Sequence, residues 1–320
     1  MRVFILAGGF ATRLWPLTEK RAKPLLPLAG KPLIDHLLDQ LPPEMPVTVS
    51  TNAAFEQSFG FWKAEGKHAR VEIVVEQSRK DTEKLGALGA VAQWIERQNI
   101  AEDILLMTGD NYFGFSIPDY LKQYTPGTPL IAVHDLQDRE QARNFGTIVP
   151  AGDGVHVAAF EEKPAAPKSA LVSTGLSILP AIHLPVVRQF AQSKPDNVGG
   201  IFEEFLRRGI PVEFRAYGEP WFDIGSFDAY LQATRVLVGN RVLLEEGAQC
   251  SETKTEGSVV LGNHSIVRHS TLRNVILFER CVVEDCVLTD CILDDHCTLK
   301  GVDLSAQMLR EGTTLRRTKD

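Results

Sequence analysis

Glycines and cations near the start of the chain stand where they could bind phosphate. Gly8 and Gly9 directly follow an apolar run, and Arg13 and Lys23 come a few residues later. Small residues after a buried strand let backbone N–H groups turn toward phosphate oxygens, and arginine and lysine neutralise the remaining charge. The sequence therefore predicts an anion-binding loop. Its residues ahead of the cations are Leu6, Ala7, Gly8, Gly9, Ala11 and Thr12.

Two common nucleotide-binding loops do not fit this segment. A dinucleotide-binding loop requires the pattern G-x-G-x-x-G, but Ala11 occupies a spaced glycine position and no third glycine follows. A P-loop requires G-K-[ST], which is absent here. The segment therefore predicts a phosphate site of another type.

Two aspartates are candidates for binding a metal ion. Asp110 follows the apolar run Ile104–Met107, and a carboxylate at the end of a buried strand can bind a hard cation such as Mg²⁺. Asp223 is the candidate second ligand. Each has a structural alternative, since Asp110 could simply form a turn and Asp223 could cap the helix expected from Ser226.

The first 238 residues alternate β-rich runs with helical patterns, which is typical of a parallel sheet with crossover helices. We predict a doubly wound, mainly parallel α/β domain over 1–238, in which ligands bind at the carboxyl ends of the strands. The predicted strands are Val3–Leu6, Val47–Ser50, Val71–Val75, Ile104–Met107 and Leu130–Val133. The predicted helices are Ile34–Leu41, Gly86–Gln98 and Ile117–Tyr124.

From residue 239 onward, a small residue followed by an aliphatic one recurs every five to seven positions. Stacked short strands would bury these positions between coils. We predict a short β-solenoid over 239–320 that resembles the left-handed β-helix of hexapeptide-repeat proteins. An open solenoid end must be capped or paired, so self-association into a homo-oligomer is a further hypothesis.

All five cysteines lie in this C-terminal part. The spacings between Cys281, Cys286, Cys291 and Cys297 are 5, 5 and 6 residues, which match the repeat and contain no C-x₂-C zinc pair. We therefore expect reduced thiols stacked inside the solenoid.

Composition narrows the class of protein. With 320 residues, 44% hydrophobic residues and a formal net charge of -7, the chain is long enough for a large domain and a smaller one. Its basic residues are dispersed, so we expect neither nucleic acid nor a membrane as a partner. The N-terminal apolar run is too short for a signal segment, so a cytoplasmic location is expected.

The segment Leu6–Pro32 resembles the signature of the sugar-1-phosphate nucleotidyltransferases, the nucleotide-sugar pyrophosphorylase family. The similarity continues through Gly109-Asp110, Glu162-Lys163-Pro164, Thr174-Gly175 and the run 221–225. Some members of that family also carry a solenoid tail. One departure is Ala11, where the family usually has glycine and where a β-carbon would crowd the phosphates.

The resemblance implies transfer of a nucleotidyl group from a nucleoside triphosphate to a sugar 1-phosphate, with Mg²⁺ held by Asp110 and Asp223. Arg13, Lys23 and Lys163 would neutralise phosphate charge, and Gln77 is the candidate for reading the base, with Gly86 and Gly89 nearby. The implied sugar-phosphate site consists of Lys23, Gly146, Glu162, Lys163, Thr174, Gly175 and Trp221. Lys163 should be extended, because a proline follows it.

The substrates remain open at this stage. Residues 79–86 match neither the common thymidylyl nor the common guanylyl versions of the family. Thymidylyl transfer to glucose 1-phosphate is the preferred interpretation, with guanylyl transfer to mannose 1-phosphate and uridylyl transfer as alternatives. Two other classes are a bifunctional enzyme with acyltransferase activity, using His264, His269 or His296 as a base, and a sensor without catalysis.

Overall fold

The computed structural model describes residues 1–66, 68–78, 80, 82 and 85–317. These residues form two compact units, of which the first comprises 1–10 with 37–223 and the second 11–36 with 224–317. The anion-binding loop predicted from the sequence is thus divided at Phe10, because its later residues pack in the unit that contains the C-terminal strands. The domain boundary predicted at 238/239 stays a prediction.

Helices and strands follow one another along the first 238 residues. The strands are β1 (Arg2–Leu6), β2 (Pro27–Leu28), β3 (Lys31–Pro32), β4 (Val47–Asn52), β5 (Val71–Glu76), β6 (Ile104–Thr108), β7 (Asn111–Phe113), β8 (Leu130–Asp135), β9 (Gly146–Pro150), β10 (Val157–Glu162), β11 (Leu171–Leu179), β12 (Glu213–Tyr217) and β13 (Trp221–Asp223). The α-helices are α1 (Leu33–Leu38), α2 (Glu56–Glu65), α3 (Ala87–Arg97), α4 (Ile117–Lys122), α5 (Arg139–Ala142), α6 (Leu184–Ser193), α7 (Gly200–Arg207) and α8 (Phe227–Val238).

The first unit is built on one mixed sheet. Its strands run in the order β10-β9-β11-β6-β1-β4-β5, while β8 pairs with β11 and β12 pairs with β8. The neighbours β6, β1, β4 and β5 are parallel, as predicted, whereas β11 runs antiparallel to β6, β8 and β9. All five strands and all three helices predicted from the sequence are present, with ends shifted by up to three residues. The predicted α/β fold class is confirmed.

Apolar burial holds the helices of this unit to the sheet. Phe4 of β1 and Trp94 of α3 are both buried, with ring centroids 4.5 Å apart. Phe202 and Phe205 place α7 in the same core. Because β1 and β6 are neighbours and Gly109 N–H donates to the Leu6 carbonyl at 2.8 Å, the residues that follow these two strands lie side by side.

The C-terminal strands stack in two parallel sheets of five strands each. The strands are β14 (Val242–Leu244), β15 (Gln249–Ser251), β16 (Lys254–Leu261), β17 (Ile266–Arg268), β18 (Thr271–Leu277), β19 (Val282–Glu284), β20 (Val287–Leu293), β21 (Thr298–Lys300), β22 (Asp303–Leu309) and β23 (Thr314–Arg316). Even-numbered strands from β14 to β22 form one sheet and odd-numbered strands from β15 to β23 form the other. The arrangement is β-helix-like, as predicted.

Left-handed backbone turns explain the repeat seen in the sequence. Residues with positive φ recur every five to seven positions along the solenoid, for example at Arg280, Asp285, Asp290 and His296. The residue after each of these four turns is a cysteine with at most 1% of its surface exposed. The predicted inward stacking of small residues is confirmed for these four positions, and all five cysteines carry free thiols.

Across the described part of the chain, no helix is both long and apolar enough to cross a membrane.

Candidate functional site

A cavity of about 210 Å³ lies in the first unit at the end of β6. Its walls come from residues that are far apart in the chain, with β6, β11 and α7 each contributing. The predicted site residues that line it are Asp110, Gly146, Glu162, Thr174, Gly175, Trp221 and Asp223. The structure thus brings together seven of the residues assigned from the sequence.

Both candidate metal ligands lie at one end of a two-stranded ribbon. β7 and β13 pair antiparallel, with Asp223 opposite Asn111, the residue that follows Asp110. The Asn111 side chain donates from Nδ2 to Asp110 Oδ1 at 2.8 Å and to Thr108 Oγ1 at 2.6 Å. The helix α8 is capped by Ser226, whose hydroxyl accepts from the Ala229 N–H. Ser226 and not Asp223 is therefore the N-cap of that helix, and Asp223 lines the cavity.

Glu162 is the other acidic side chain of the cavity. Burial raises the pKa of this carboxyl, although the neighbouring Lys163 acts in the opposite direction. A β-carbon on Gly199 would lie 2.1 Å from Glu162 Oε2, and one on Gly146 would lie 3.1 Å from the same atom. Both glycines are thus needed to accommodate this carboxylate beside the Phe160 ring.

The pair Thr174-Gly175 is fixed by its own packing. Gly175 has φ +80°, and a β-carbon there would lie 2.1 Å from Thr108 Oγ1. Thr174 donates its hydroxyl to the Ala132 carbonyl at 2.9 Å, and its own carbonyl accepts from Trp221 Nε1 at 3.1 Å. This glycine therefore permits close contact between strands in addition to any contact with a ligand.

Lys163 does not adopt the predicted conformation. Its φ is +46°, so the residue is left-handed and the expectation of an extended backbone is wrong. The Pro164 ring favours an extended backbone at the preceding position, so the left-handed turn is set by other contacts of this segment. The Lys163 N–H donates to the Phe145 carbonyl at 3.2 Å, which holds the turn in place, and its side chain is exposed.

The start of the anion-binding loop packs against β4 and β5. The Asn52 side chain donates to the Gly8 carbonyl at 2.8 Å, and the Ala7 N–H donates to the Ser50 carbonyl at 2.8 Å. A β-carbon on Gly8 would touch Glu76 Oε1 at 3.4 Å, whereas one on Gly9 would meet no atom of the described residues within 4 Å. Gly9 is therefore open on the side where a ligand could approach.

The later loop residues Ala11, Thr12, Arg13 and Lys23 belong to the second unit. Ala11 is left-handed, with φ 47° and ψ 45°, and its carbonyl accepts from Thr18 Oγ1 at 2.9 Å. Short 3₁₀ helices cover Thr12–Leu14 and Lys23–Leu25. Arg13 is exposed, whereas Lys23 is buried, with 8% of its surface exposed.

The predicted base-binding residues are not among the described residues that line the cavity. Gln77 is exposed, and a β-carbon on Gly86 would lie 2.5 Å from the backbone of Pro195. Gly89 N–H donates to the Pro195 carbonyl at 2.9 Å, so both glycines pack against that segment. The assignment of this stretch to the base stays a prediction, and Arg79, Asp81, Glu83 and Lys84 lie outside the described residues.

The family described as "Nucleotidyl transferase" matches residues 2–238, which include the whole cavity. The chain belongs to the nucleotidyl transferase family. A glucose-1-phosphate thymidylyltransferase of Streptomyces griseus is 27% identical over 82% of this chain and 78% of its own length. A glucose-1-phosphate adenylyltransferase of Thermotoga maritima is 31% identical over 73% of this chain and 60% of its own length.

A crystal structure of a Bacillus anthracis protein assigned as a glucose-1-phosphate thymidylyltransferase has the same fold as this nucleotidyl transferase. The two agree with a TM-score of 0.64 and are 21% identical, over 74% of this chain and 94% of the other. At this identity the similarity concerns the fold alone.

Sequence reasoning missed three residues that shape the site of this nucleotidyl transferase. Asn111 orients Asp110, Gly199 makes room for Glu162, and Glu76 lies buried against Gly8. Burial raises the pKa of Glu76, while hydrogen bonds from the Leu85 backbone and from Ser50 oppose that rise. Only Glu76 had a signal in the sequence, as an acidic residue at the end of a β-rich run, which resembles the position of Asp110 after Ile104–Met107.

Proposed function

We propose that this nucleotidyl transferase joins a sugar 1-phosphate to the nucleotidyl group of a nucleoside triphosphate and releases pyrophosphate. Family membership supports this activity, and so do the names of the relatives. The structural observation that carries the proposal is the pairing of β7 with β13. It places Asp110 and Asp223 on one cavity, whose other lining includes Glu162, Gly146 and Thr174.

The reaction requires two anionic substrates to meet. A phosphate oxygen of the sugar 1-phosphate attacks the α-phosphorus of the triphosphate, a new P–O bond forms, and the bond to the β-phosphate oxygen breaks. Its electron pair leaves with pyrophosphate. Because the attacking oxygen is already anionic at neutral pH, no protein base is required, and the protein contributes positioning and charge neutralisation.

Asp110 and Asp223 fit a magnesium site that is completed by substrate. Within the described ranges, no group of three or more His, Cys, Asp or Glu side chains could hold a metal by itself. Mg²⁺ is commonly bound by one or two carboxylates together with water and substrate phosphates, so two aspartates are a sufficient donor set. Mg²⁺ bound there would offset the charge that develops on pyrophosphate. Asn111 contributes by holding the Asp110 carboxylate in orientation.

The remaining roles follow the family resemblance. Gly8, Gly9, Ala11, Thr12 and Arg13 are proposed to bind the triphosphate, which the open space beside Gly9 supports. Lys23 and Lys163 are proposed to bind the sugar phosphate. Glu162 faces the cavity and is proposed to accept hydrogen bonds from sugar hydroxyls.

The preferred substrates are dTTP and glucose 1-phosphate. Proteins named as glucose-1-phosphate thymidylyltransferases in Streptomyces griseus and Mycobacterium tuberculosis are 27% and 28% identical to this chain. Guanylyl transfer to mannose 1-phosphate and uridylyl transfer are the alternatives. The adenylyltransferase from Thermotoga maritima, at 31% identity, adds ATP to the triphosphates that must be compared.

Acyl transfer in the solenoid is an alternative of another class. His264, His269 and His296 all occupy left-handed turns with φ between 48° and 61°, and His269 Nδ1 lies 3.1 Å from Glu252 Oε2. Turn positions favour a structural role for these histidines.

A sensor without catalysis is the third alternative. We further propose a cytoplasmic homo-oligomer, supported by five free thiols and by strands β22 and β23, which pair on one side only within the described residues.

The deciding experiment is a substrate grid. Purified protein with Mg²⁺ is incubated with dTTP, UTP, GTP, ATP or CTP and with glucose, mannose or N-acetylglucosamine 1-phosphate. The expected result is pyrophosphate release with one preferred pair, together with a nucleotide sugar of matching mass. Acetyl-CoA with an amino sugar phosphate tests the acyltransferase, and binding of a nucleotide sugar without turnover of any pair would favour a sensor.

A further inference from the structure

The segment that carries Arg13 and Lys23 is fastened to the solenoid within the second unit. The Arg21 guanidinium forms ion pairs with Asp294, at 3.6 Å, and with Asp295, to which it also donates a hydrogen bond. It lies over the Phe278 ring, 5.2 Å from the centroid. Asp294 and Asp295 directly follow β20, at the left-handed turn that begins a new coil.

This contact differs from the surface ion pairs around it in being shielded from solvent. The exposed fractions of the Arg21, Asp294 and Asp295 side chains are 27%, 11% and 18%. Exposed ion pairs contribute little to stability because solvent screens them and because two long side chains must be ordered. An arginine shared between two partly buried carboxylates is screened less and holds one geometry through its planar fork.

Further contacts join the same segment to the last coil. Lys20 Nζ lies 2.9 Å from Glu311 Oε2, and Arg310 Nε lies 3.0 Å from Glu19 Oε2. The Arg310 guanidinium also lies 4.6 Å from the centroid of the Trp15 ring. These side chains are largely exposed, so we expect each contact to contribute less than the Arg21 cluster.

Arg21 is also close to a proposed phosphate ligand along the chain. It is separated from Lys23 only by Ala22, which is fully buried, and Lys23 begins a 3₁₀ helix. On the other side of that helix, the Tyr230 hydroxyl of α8 donates to the Pro27 carbonyl. Lys23 therefore lies on a short segment held at both ends, by the solenoid before it and by α8 after it.

We propose that Arg21 is a positioning residue, which uses Asp294 and Asp295 of the solenoid to hold Lys23 where the sugar phosphate binds. The solenoid then forms part of the substrate-binding machinery. The inference rests on the proposed function, since it takes Lys23 as a phosphate ligand. It adds that residues about 270 positions away in the chain decide how well that ligand is placed.

Steady-state kinetics of the full chain test this role. Arg21→Ala and the double variant Asp294→Asn/Asp295→Asn should each raise KM for the sugar 1-phosphate about tenfold, with a smaller change in kcat, because a displaced cation weakens substrate binding. Combining all three changes should add less than about twofold, since residues in one network are not additive. Arg21→Lys should recover part of the lost affinity. Arg273→Ala, which removes the exposed pair with Glu256 on the solenoid, is the matched control and should change nothing.

Amide hydrogen exchange without substrate separates this inference from the proposed function. In Arg21→Ala, the amides of residues 19–26 should exchange faster than in the wild type, while those of β1 stay unchanged. An unchanged KM together with unchanged exchange would overturn the inference. It would also be overturned if the increases in KM caused by Arg21→Ala and by the double aspartate variant multiplied fully when the changes were combined. If Arg21→Ala does not fold, Arg21→Lys and Asp295→Asn decide by the same criteria. A wild-type protein without any transferase activity would instead contradict the proposed function, whatever the exchange rates.

Discussion

The Trp221 indole N–H donates to Asn111 Oδ1 at 2.8 Å and thereby joins β13 to β7, the two strands beside the acidic residues. Trp221 lies two residues before Asp223, and Asn111 lies directly after Asp110. Both side chains of the bond are buried, so its loss would leave a polar atom without a partner inside the protein. The distance between the two carboxylates thus depends on a tryptophan and an asparagine.

The first prediction concerns that bond. Trp221→Phe keeps an aromatic ring but removes the N–H that Asn111 and Thr174 share, so we expect a loss of about 1–3 kcal/mol in the free energy of unfolding and a fall in kcat of roughly tenfold. Urea unfolding and pyrophosphate release measure the two effects. Trp94→Phe is the matched control, because Trp94 is also buried and its N–H has no hydrogen-bond partner among the described residues. Equal kcat in the two variants would contradict the role given to Trp221.

The second prediction concerns the carboxylates. Asp110→Asn and Asp223→Asn should each lower turnover by about 10²-fold or more while the fold survives, because a neutral amide binds Mg²⁺ poorly. Turnover is measured at saturating Mg²⁺, and circular dichroism verifies the fold. Asp119→Asn is a suitable control, since Asp119 is an exposed carboxylate paired with Lys122. Near-normal rates in either variant would remove that aspartate from the metal site.

The third prediction concerns the residue at which this chain departs from its family. Ala11 is left-handed, a conformation that costs an alanine roughly 1–2 kcal/mol and a glycine almost nothing. Ala11→Gly should therefore raise the free energy of unfolding by up to about 1 kcal/mol, after the greater entropy of unfolded glycine is subtracted. It should also lower KM for the triphosphate, since the β-carbon no longer crowds the phosphates.

Ala29→Gly provides the comparison for this variant, because Ala29 is also left-handed, with φ 49°, and is not a proposed ligand. It should stabilise the protein to a similar extent without changing KM. A KM for the triphosphate that rises in Ala11→Gly would contradict the crowding argument.

The fourth prediction concerns pH. Burial raises the pKa of Asp294 from 3.8 to about 6, although Arg21 opposes the shift. A carboxyl whose pKa is higher in the folded protein binds its proton more tightly there, so its contribution to stability is present below pH 4 and is lost as the pH rises from about 4 to 6. In Asp294→Asn this loss should disappear. The difference in free energy of unfolding between wild type and variant should therefore change by about 2–3 kcal/mol from pH 4 to 6.

Urea unfolding at pH 4, 5, 6 and 7 measures the effect. Glu204 is the opposite case, because its hydrogen bonds with Arg207 and Arg208 lower its pKa to about 2. Glu204→Gln should therefore remove stability that the wild type gains as the pH rises from 2 to 4.5. If the free energies of unfolding of wild type and Asp294→Asn change equally from pH 4 to 7, the pKa shift assigned to Asp294 is wrong.

Sequence patterns predicted the helices and strands because buried positions recur at a regular spacing along the sequence. The run Ile104–Met107 is fully apolar and lies in the middle of the sheet, and the solenoid repeat matches the spacing of its left-handed turns. The antiparallel direction of β11 could not be predicted in this way, since the connections and neighbours of a strand set its direction and its composition does not. For the same reason, nothing in the sequence indicated that residues 11–36 pack with the C-terminal strands.

Site residues could be predicted where the chemistry of the reaction requires a particular side chain. They could not be predicted where the residue matters only through its packing. Asp110 and Asp223 stand out as acidic residues beside buried strands. Asn111 and Gly199 matter through a contact with a neighbour that only the folded chain shows. Lys163 was assigned an extended backbone because proline favours that conformation at the preceding residue. In the folded chain its backbone is left-handed instead, and its N–H donates to the Phe145 carbonyl.

The central claim is that two anionic substrates react around a divalent ion held by Asp110 and Asp223. The most direct measurement is pyrophosphate release by the purified protein with a nucleoside triphosphate and a sugar 1-phosphate, with Mg²⁺ titrated against a chelator. We expect release that rises with Mg²⁺, stops in excess chelator and returns when Mg²⁺ is restored. Absence of pyrophosphate with every substrate pair, or equal release in excess chelator, would contradict the account.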